Sequence, residues 1–192
     1  FNVTNTHAPE QTSVTVTKAW SDSDDQDGLR PNDITVELVA NGEATGKTLV
    51  LNQGNNWSGI FTDLDKYADG EVITYTVAEI AVEGYETVIT GDQYTGYTVT
   101  NSHNPETVVV AGTKTWNDES NRDDKRPTEI IINLLADGTV KESKKVTAND
   151  GWAWKWENLP KYKIENGEGG KAIVYTITEN EVANYASAVN GY

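Results

Sequence analysis

Apolar and polar residues alternate in short runs along this chain, and a period of two marks strands rather than helices. In VTVTKAW (14–20) the apolar face carries Val14, Val16 and Trp20, and in ITYTVAE (73–79) it carries Ile73, Tyr75 and Val77. Seven such runs are predicted in the first half: 14–20, 34–40, 47–51, 57–64, 72–79, 85–90 and 97–101. Turn formers such as DQDG, NGEATG and QGNN separate them. Strands this short at this spacing predict an all-β chain built from immunoglobulin-like Greek-key β-sandwiches, without the Cys-Trp-Cys pattern of true immunoglobulin domains.

The pattern occurs twice. VTVTKAW returns as VAGTKTW (110–116) and Arg30-Pro31 as Arg126-Pro127, both at a spacing of 96. FTDLDKY (61–67) returns as WENLPKY (156–162) at 95, and ITYTVAE as IVYTITE (173–179) at 100, because KIENGEGGK (163–171) is a longer turn. The expected organisation is a first domain over 14–103, a linker over 104–107 and a second domain over 108–192. FNVTNTHAPE (1–10) repeats YTVTNSHNPE (97–106), so 1–7 reads as a spare last strand, followed by a linker over 8–13, whereas the second domain reads as lacking that strand.

Three polar side chains fall on faces that should be apolar. Lys18 shares the parity of Val14 and Val16, Glu79 that of Tyr75 and Val77, and Asn101 that of Tyr97 and Val99. The second copy repeats Lys114 and Glu179, and the unclaimed carboxamide of matching parity is Asn5, which follows Phe1 and Val3. A lysine near a strand end ordinarily snorkels its ammonium to water. An amine, an acid and a carboxamide in the same relation to three strands point instead to joint burial. Burial lowers a lysine pKa and raises a carboxyl pKa, which leaves a nucleophilic amine beside a protonated acid. Such an acid can polarise the Asn carbonyl and shuttle protons while ammonia leaves, producing one amide between Lys and Asn side chains.

The motifs VTVTKAW, RPNDITVELVANG, FTDLDKY, YTVAEIAVEGY and YTVTNSH together resemble the Cna B-type domain, the repeat of collagen-adhesin stalks and pilins on Gram-positive bacteria. The resemblance spans nearly the whole chain and keeps the order of the motifs in both copies. It implies a β-sandwich closed by an autocatalytic Lys–Asn isopeptide bond between its first and last strands, with Lys18, Glu79 and Asn101 in the first copy and Lys114 and Glu179 in the second. It further implies an extracellular, cell-wall-anchored setting and a stalk or spacer role, single-turnover self-crosslinking rather than an enzyme, and flanking repeats as neighbours. A module that itself binds a host matrix protein is the alternative. The surplus strand and the matching gap suggest a head-to-tail arrangement in which Asn5 meets Lys114 of a neighbouring copy.

Charge and composition narrow the remaining classes. The net charge of −15 disfavours nucleic acid as a partner. There is no Cys to form disulfides or thiolate metal sites, and no apolar run is long enough to span a membrane. SDSDDQDG (21–28) resembles a calcium loop, but its twelfth position is Ile34 and the second copy has Asp124 in place of Gly28, so it reads as an acidic turn closed by Arg30-Pro31. Trp57, Trp152, Trp154 and Trp156 offer a sugar platform on paper, although aromatic residues of such strands more often fill the sandwich. His7 and His103 have no nucleophile beside them in sequence, so neither cofactor nor metal is expected.

Overall fold

The computed structural model describes residues 1–191, which divide into two compact units, residues 1–25 with 29–104, and residues 26–28 with those from 105 onward. Tyr192, the last residue of the expected second domain, lies outside the described residues.

The first unit contains nine strands: β1 (Gln11–Ser21), β2 (Asp33–Ala40), β3 (Glu43–Asn52), β4 (Ser58–Asp65), β5 (Tyr67–Ala68), β6 (Glu71–Val72), β7 (Tyr75–Glu79), β8 (Glu86–Asp92) and β9 (Gly96–Ser102). They form a four-stranded sheet in the order β4-β1-β9-β8, a three-stranded sheet in the order β3-β2-β7, and a two-stranded β5-β6 hairpin. The inward faces of the two larger sheets share one core of Val14, Val16, Ile34, Val36, Leu38, Leu51, Phe61, Leu64, Tyr75, Val77 and Val99, the face-to-face packing that defines a sandwich. Strand β1 runs antiparallel to β4 but parallel to β9, with Lys18 opposite Val99 and Trp20 opposite Asn101.

The second unit contains β10 (Thr107–Thr113), β11 (Glu129–Ala136), β12 (Thr139–Thr147), β13 (Ala153–Pro160), β14 (Tyr162–Glu165), β15 (Glu168–Ala172) and β16 (Tyr175–Glu179). Here β10 pairs β13, β11 lies between β12 and β16, and β14-β15 is a hairpin. KIENGEGGK is thus a turn extended into its own two-stranded ribbon.

The seven strands expected over 14–101 occur, with differences at their ends. β1 begins at Gln11, inside the stretch read as a linker, because residues 11 and 12 continue the ladder to Asp65 and Leu64. The run over 72–79 is broken: Val72 belongs to the β5-β6 hairpin, and β7 starts at Tyr75. Residues 1–7, read as a spare last strand, are exposed and carry no strand, since a ladder needs a neighbouring backbone and none lies alongside.

The two cores solve one packing position in opposite ways. In the first unit Val16 of β1 faces Gly59 of β4 across the ladder, whereas in the second Gly112 of β10 faces Trp154 of β13. The indole occupies the space a side chain at 112 would need, with its Cζ2 only 2.5 Å from where a Cβ would stand. On that face the bulk therefore comes from β1 in the first unit and from β13 in the second. Gly112→Val is expected to destabilise the second unit by ~2 kcal/mol or more, read as a lowered calorimetric transition.

Candidate functional site

Strand parity delivers the three polar residues of the first unit to one place. Lys18 on β1, Glu79 on β7 and Asn101 on β9 come from both sheets, and their side chains meet inside the sandwich. The Lys18 and Glu79 side chains are 0% and 1% exposed, and Asn101 is fully buried. One carboxylate oxygen, Glu79 Oε1, lies 3.8 Å from Lys18 Nζ and accepts a hydrogen bond from Asn101 Nδ2 at 3.1 Å. The amine and the carboxamide thus converge on a single oxygen. Lys18 Nζ also donates to the carbonyls of Ala19 at 2.9 Å and Val99 at 3.3 Å. Burial pushes the Lys18 amine down to about 8, against the opposing pull of Glu79 and Asp22, so about a tenth of it is neutral at pH 7.

A fourth residue completes the site. The Thr87 hydroxyl on β8 lies 2.6 Å from Glu79 Oε2 and 3.0 Å from Asn101 Oδ1. A hydroxyl has one proton, so when Glu79 holds its own proton and donates it to Thr87, Thr87 donates onward to the Asn101 carbonyl oxygen. Sequence reasoning aimed the acid directly at that carbonyl; the geometry turns the amide nitrogen toward Glu79 and leaves the oxygen to Thr87. The one available signal was recurrence, since Ser187 occupies the position 100 residues on, the same offset that relates Glu79 to Glu179.

The second unit has the first two members. Lys114, immediately after β10, makes an ion pair of 2.9 Å with Glu179 Oε2 on β16, with side chains 16% and 5% exposed. The other oxygen, Glu179 Oε1, is buried without a hydrogen-bond partner among the described residues. In the first unit the equivalent carboxylate has both oxygens engaged. Beside the pair runs a groove of about 710 Å³ bounded by Val110, Gly112, Lys114, Ile177, Glu179 and Ser187. It flanks β10, whose only ladder partner among the described residues is β13. Asn5, the expected carboxamide of this unit, is exposed and outside any strand.

The alternative sites resolve into structural roles. In the acidic loop, Asp22 takes Arg30 in two hydrogen bonds, of 2.6 and 3.1 Å, and the Tyr85 hydroxyl at 2.9 Å, while Asp25 Oδ1 accepts from the Arg30 backbone N–H at 2.8 Å. Among the described residues no cluster of His, Asp or Glu is arranged to hold a metal ion. Trp154 and Trp156 are core residues at 8% and 4% exposure, which removes them from a sugar platform. No helix among the described residues is long and apolar enough to cross a membrane.

Comparison with known proteins agrees with this architecture. The Cna protein B-type domain model matches residues 14–102 and again 110–192. A collagen adhesin of Staphylococcus aureus is 44% identical over 190 residues, covering 98% of this chain and 16% of the adhesin. The crystal structure of two B repeat units of the S. aureus collagen binding protein superposes with a TM-score of 0.82 at 43% identity, covering 94% of this chain and 48% of that one. A single B repeat unit of the same protein is 38% identical, covers 94% of this chain and 92% of that one, and gives a TM-score of 0.45. The chain therefore spans only a small part of the curated relative it matches.

Proposed function

Since the chain belongs to the Cna protein B-type domain family, with two copies in tandem, we propose that it is a pair of stalk modules of a bacterial surface adhesin, each closed by a self-formed Lys–Asn amide. The observation that carries this reading is the convergence of Lys18 Nζ and Asn101 Nδ2 on Glu79 Oε1 in a fully buried site. Once its proton has left, the Lys18 amine is a neutral nucleophile. Nζ attacks Cγ of Asn101, while Thr87 donates to the oxygen on which negative charge develops. Glu79 Oε1 takes the proton from the attacking nitrogen and delivers it to Nδ2. The Nζ–Cγ bond forms, the Cγ–Nδ2 bond breaks and ammonia leaves. The reaction runs once per site, so the chain is its own substrate and not a turnover enzyme.

In the second unit Lys114 and Glu179 are set for the same chemistry on an incoming strand that carries Asn. Glu179 Oε1 supports this, as a buried acceptor facing a groove where the first unit has Asn101. Residues 1–6 of a neighbouring copy fit by pattern, since Phe1, Val3 and Asn5 repeat the parity of Tyr97, Val99 and Asn101. Pairing of this kind is strand complementation and propagates head to tail. A strand supplied by adjoining sequence in a longer protein is the competing occupant.

Intact mass spectrometry tests both levels. The folded chain is expected to be lighter than its sequence mass by one ammonia for the first unit, with the deficit absent in Asn101→Ala. A full sequence mass in the unaltered chain overturns the amide. Boiled, denatured samples are expected to show a ladder of multimers that Asn5→Ala removes, and a single monomer band overturns the pairing between copies. The surface setting and stalk role rest on the adhesin relatives. A host-binding module is the rival, favoured if the purified chain retains an immobilised matrix protein such as collagen.

A further inference from the structure

A second cluster recurs intact in both units and touches the lysine from the loop side. In the first, Lys18 Nζ stands 4.0 Å from the centre of the Trp20 ring and the Arg30 guanidinium 5.2 Å from it. Arg30 is held by the paired bonds to Asp22, which also receives the Tyr85 hydroxyl. Tyr85 and Trp57 pack edge-on against Trp20 at 5.1 and 5.3 Å. In the second unit Lys114 and Arg126 lie 4.8 and 5.4 Å from the Trp116 ring, Asp118 takes Arg126 at 2.6 and 3.0 Å and Tyr185 at 3.0 Å, and Tyr185 and Trp152 pack edge-on. A motif of four chemically distinct residues kept at a spacing of 96 to 100, in two units whose cores differ, is tied to what it surrounds.

We propose that Asp22, Arg30 and Tyr85, acting through Trp20, form a clasp that positions the Lys18 amine and keeps the nearest loop carboxylate neutralised, so that the amine is not held as an ammonium. Arg30 and Asp22 are positioning residues, because neither touches Asn101. Two carboxyl groups face Lys18, Glu79 from β7 and Asp22 from the loop after β1, and Arg30 is the cation acting against them. Burial alone would raise the Asp22 carboxyl, but bonds from Arg30, Tyr85 and the Asp25 N–H hold it below its ordinary range. Asp22 is therefore charged, and Arg30 is what offsets that charge. Removing Arg30 leaves an unopposed carboxylate that draws a proton onto Lys18. Removing Asp22 leaves an unopposed guanidinium that drives the proton off.

This clasp serves the amide-forming reading of the site, yet its test does not require the amide. In an Asn101→Ala chain the Lys18 amine stays free, and its titration is followed by NMR of isotopically labelled lysine. Adding Arg30→Gln is expected to raise the midpoint by about one pH unit, adding Asp22→Asn to lower it by a similar amount, and adding both to return it close to the start. With Asn101 restored, the rate of ammonia loss during refolding is expected to shift its pH midpoint in the same order. Unchanged midpoints in all three variants overturn the clasp and reduce it to loop scaffolding. If Arg30→Gln fails to fold, the Asp22→Asn shift alone decides. Absence of ammonia loss in the unaltered chain overturns the amide and leaves the titration result standing on its own.

Discussion

Asn101→Ala is expected to lower the unfolding temperature of the first unit by roughly 20 °C while leaving the second calorimetric transition in place. A covalent tie between positions 18 and 101 closes a loop of nearly the whole unit, and by analogy with disulfides such a closure contributes about 4 to 5 kcal/mol. For a domain of this size each kcal/mol moves the transition by about 4–8 °C. Glu79→Gln is expected to behave similarly, since without a proton carrier the amide does not form, and Thr87→Val to slow the reaction rather than abolish it. The Asn101→Ala chain has a second signature, in pH. Its free Lys18 titrates at about 8 when folded and at about 10.4 when unfolded. Between those values the unfolded chain binds more protons, so stability rises with pH across that window, by roughly 3 kcal/mol. In the crosslinked chain the nitrogen is an amide, and this dependence should vanish. Equal transitions and equal pH profiles for the two chains would overturn the assignment.

Mechanical unfolding is expected to separate the same two chains even more sharply. β1 and β9 are parallel neighbours, so a pull on the two ends of the unit enters along one and leaves along the other. With the amide in place, force passes from β1 through Lys18 to Asn101 and out along β9, and the strands between never carry it. Single-molecule stretching of the unaltered chain should show no extension from that segment. Asn101→Ala should release roughly 250–300 Å, the contour of the residues between the two positions at up to ~3.5 Å each. A step of that length in the crosslinked chain would sink the load-path argument.

The shared burial of Lys18, Glu79 and Asn101 was legible because a strand's period of two is rigid: once Val14 and Val16 face inward, Lys18 must follow, and the same holds for Glu79 after Val77 and Asn101 after Val99. What parity does not give is which atoms meet. The orientation of the Asn101 amide depends on Thr87, a residue on an exposed-looking strand whose partners lie across the sheet and have no sequence proximity to it. The contacts among Asp22, Arg30, Tyr85 and Trp20 were less legible for a related reason. Arg30 read as the closing residue of an acidic turn, and its bonds to Asp22 and its approach to Trp20 depend on how that loop folds over the strand end. Recurrence at Asp118, Arg126 and Tyr185 was visible, but recurrence alone does not say what the residues touch. The two-residue β5-β6 hairpin escaped because segments that short carry no period.

The reversal of large and small residues between Val16 with Gly59 and Gly112 with Trp154 bears on how adjacent repeats of one fold emerge from the ribosome. A first strand that strayed into the wrong neighbour would set glycine against glycine and leave a void in one case, or force valine into an indole in the other. Either misassembly is penalised by packing alone. Each copy is thereby steered to recruit its own leading strand, a safeguard against the interdomain mispairing to which tandem arrays are prone.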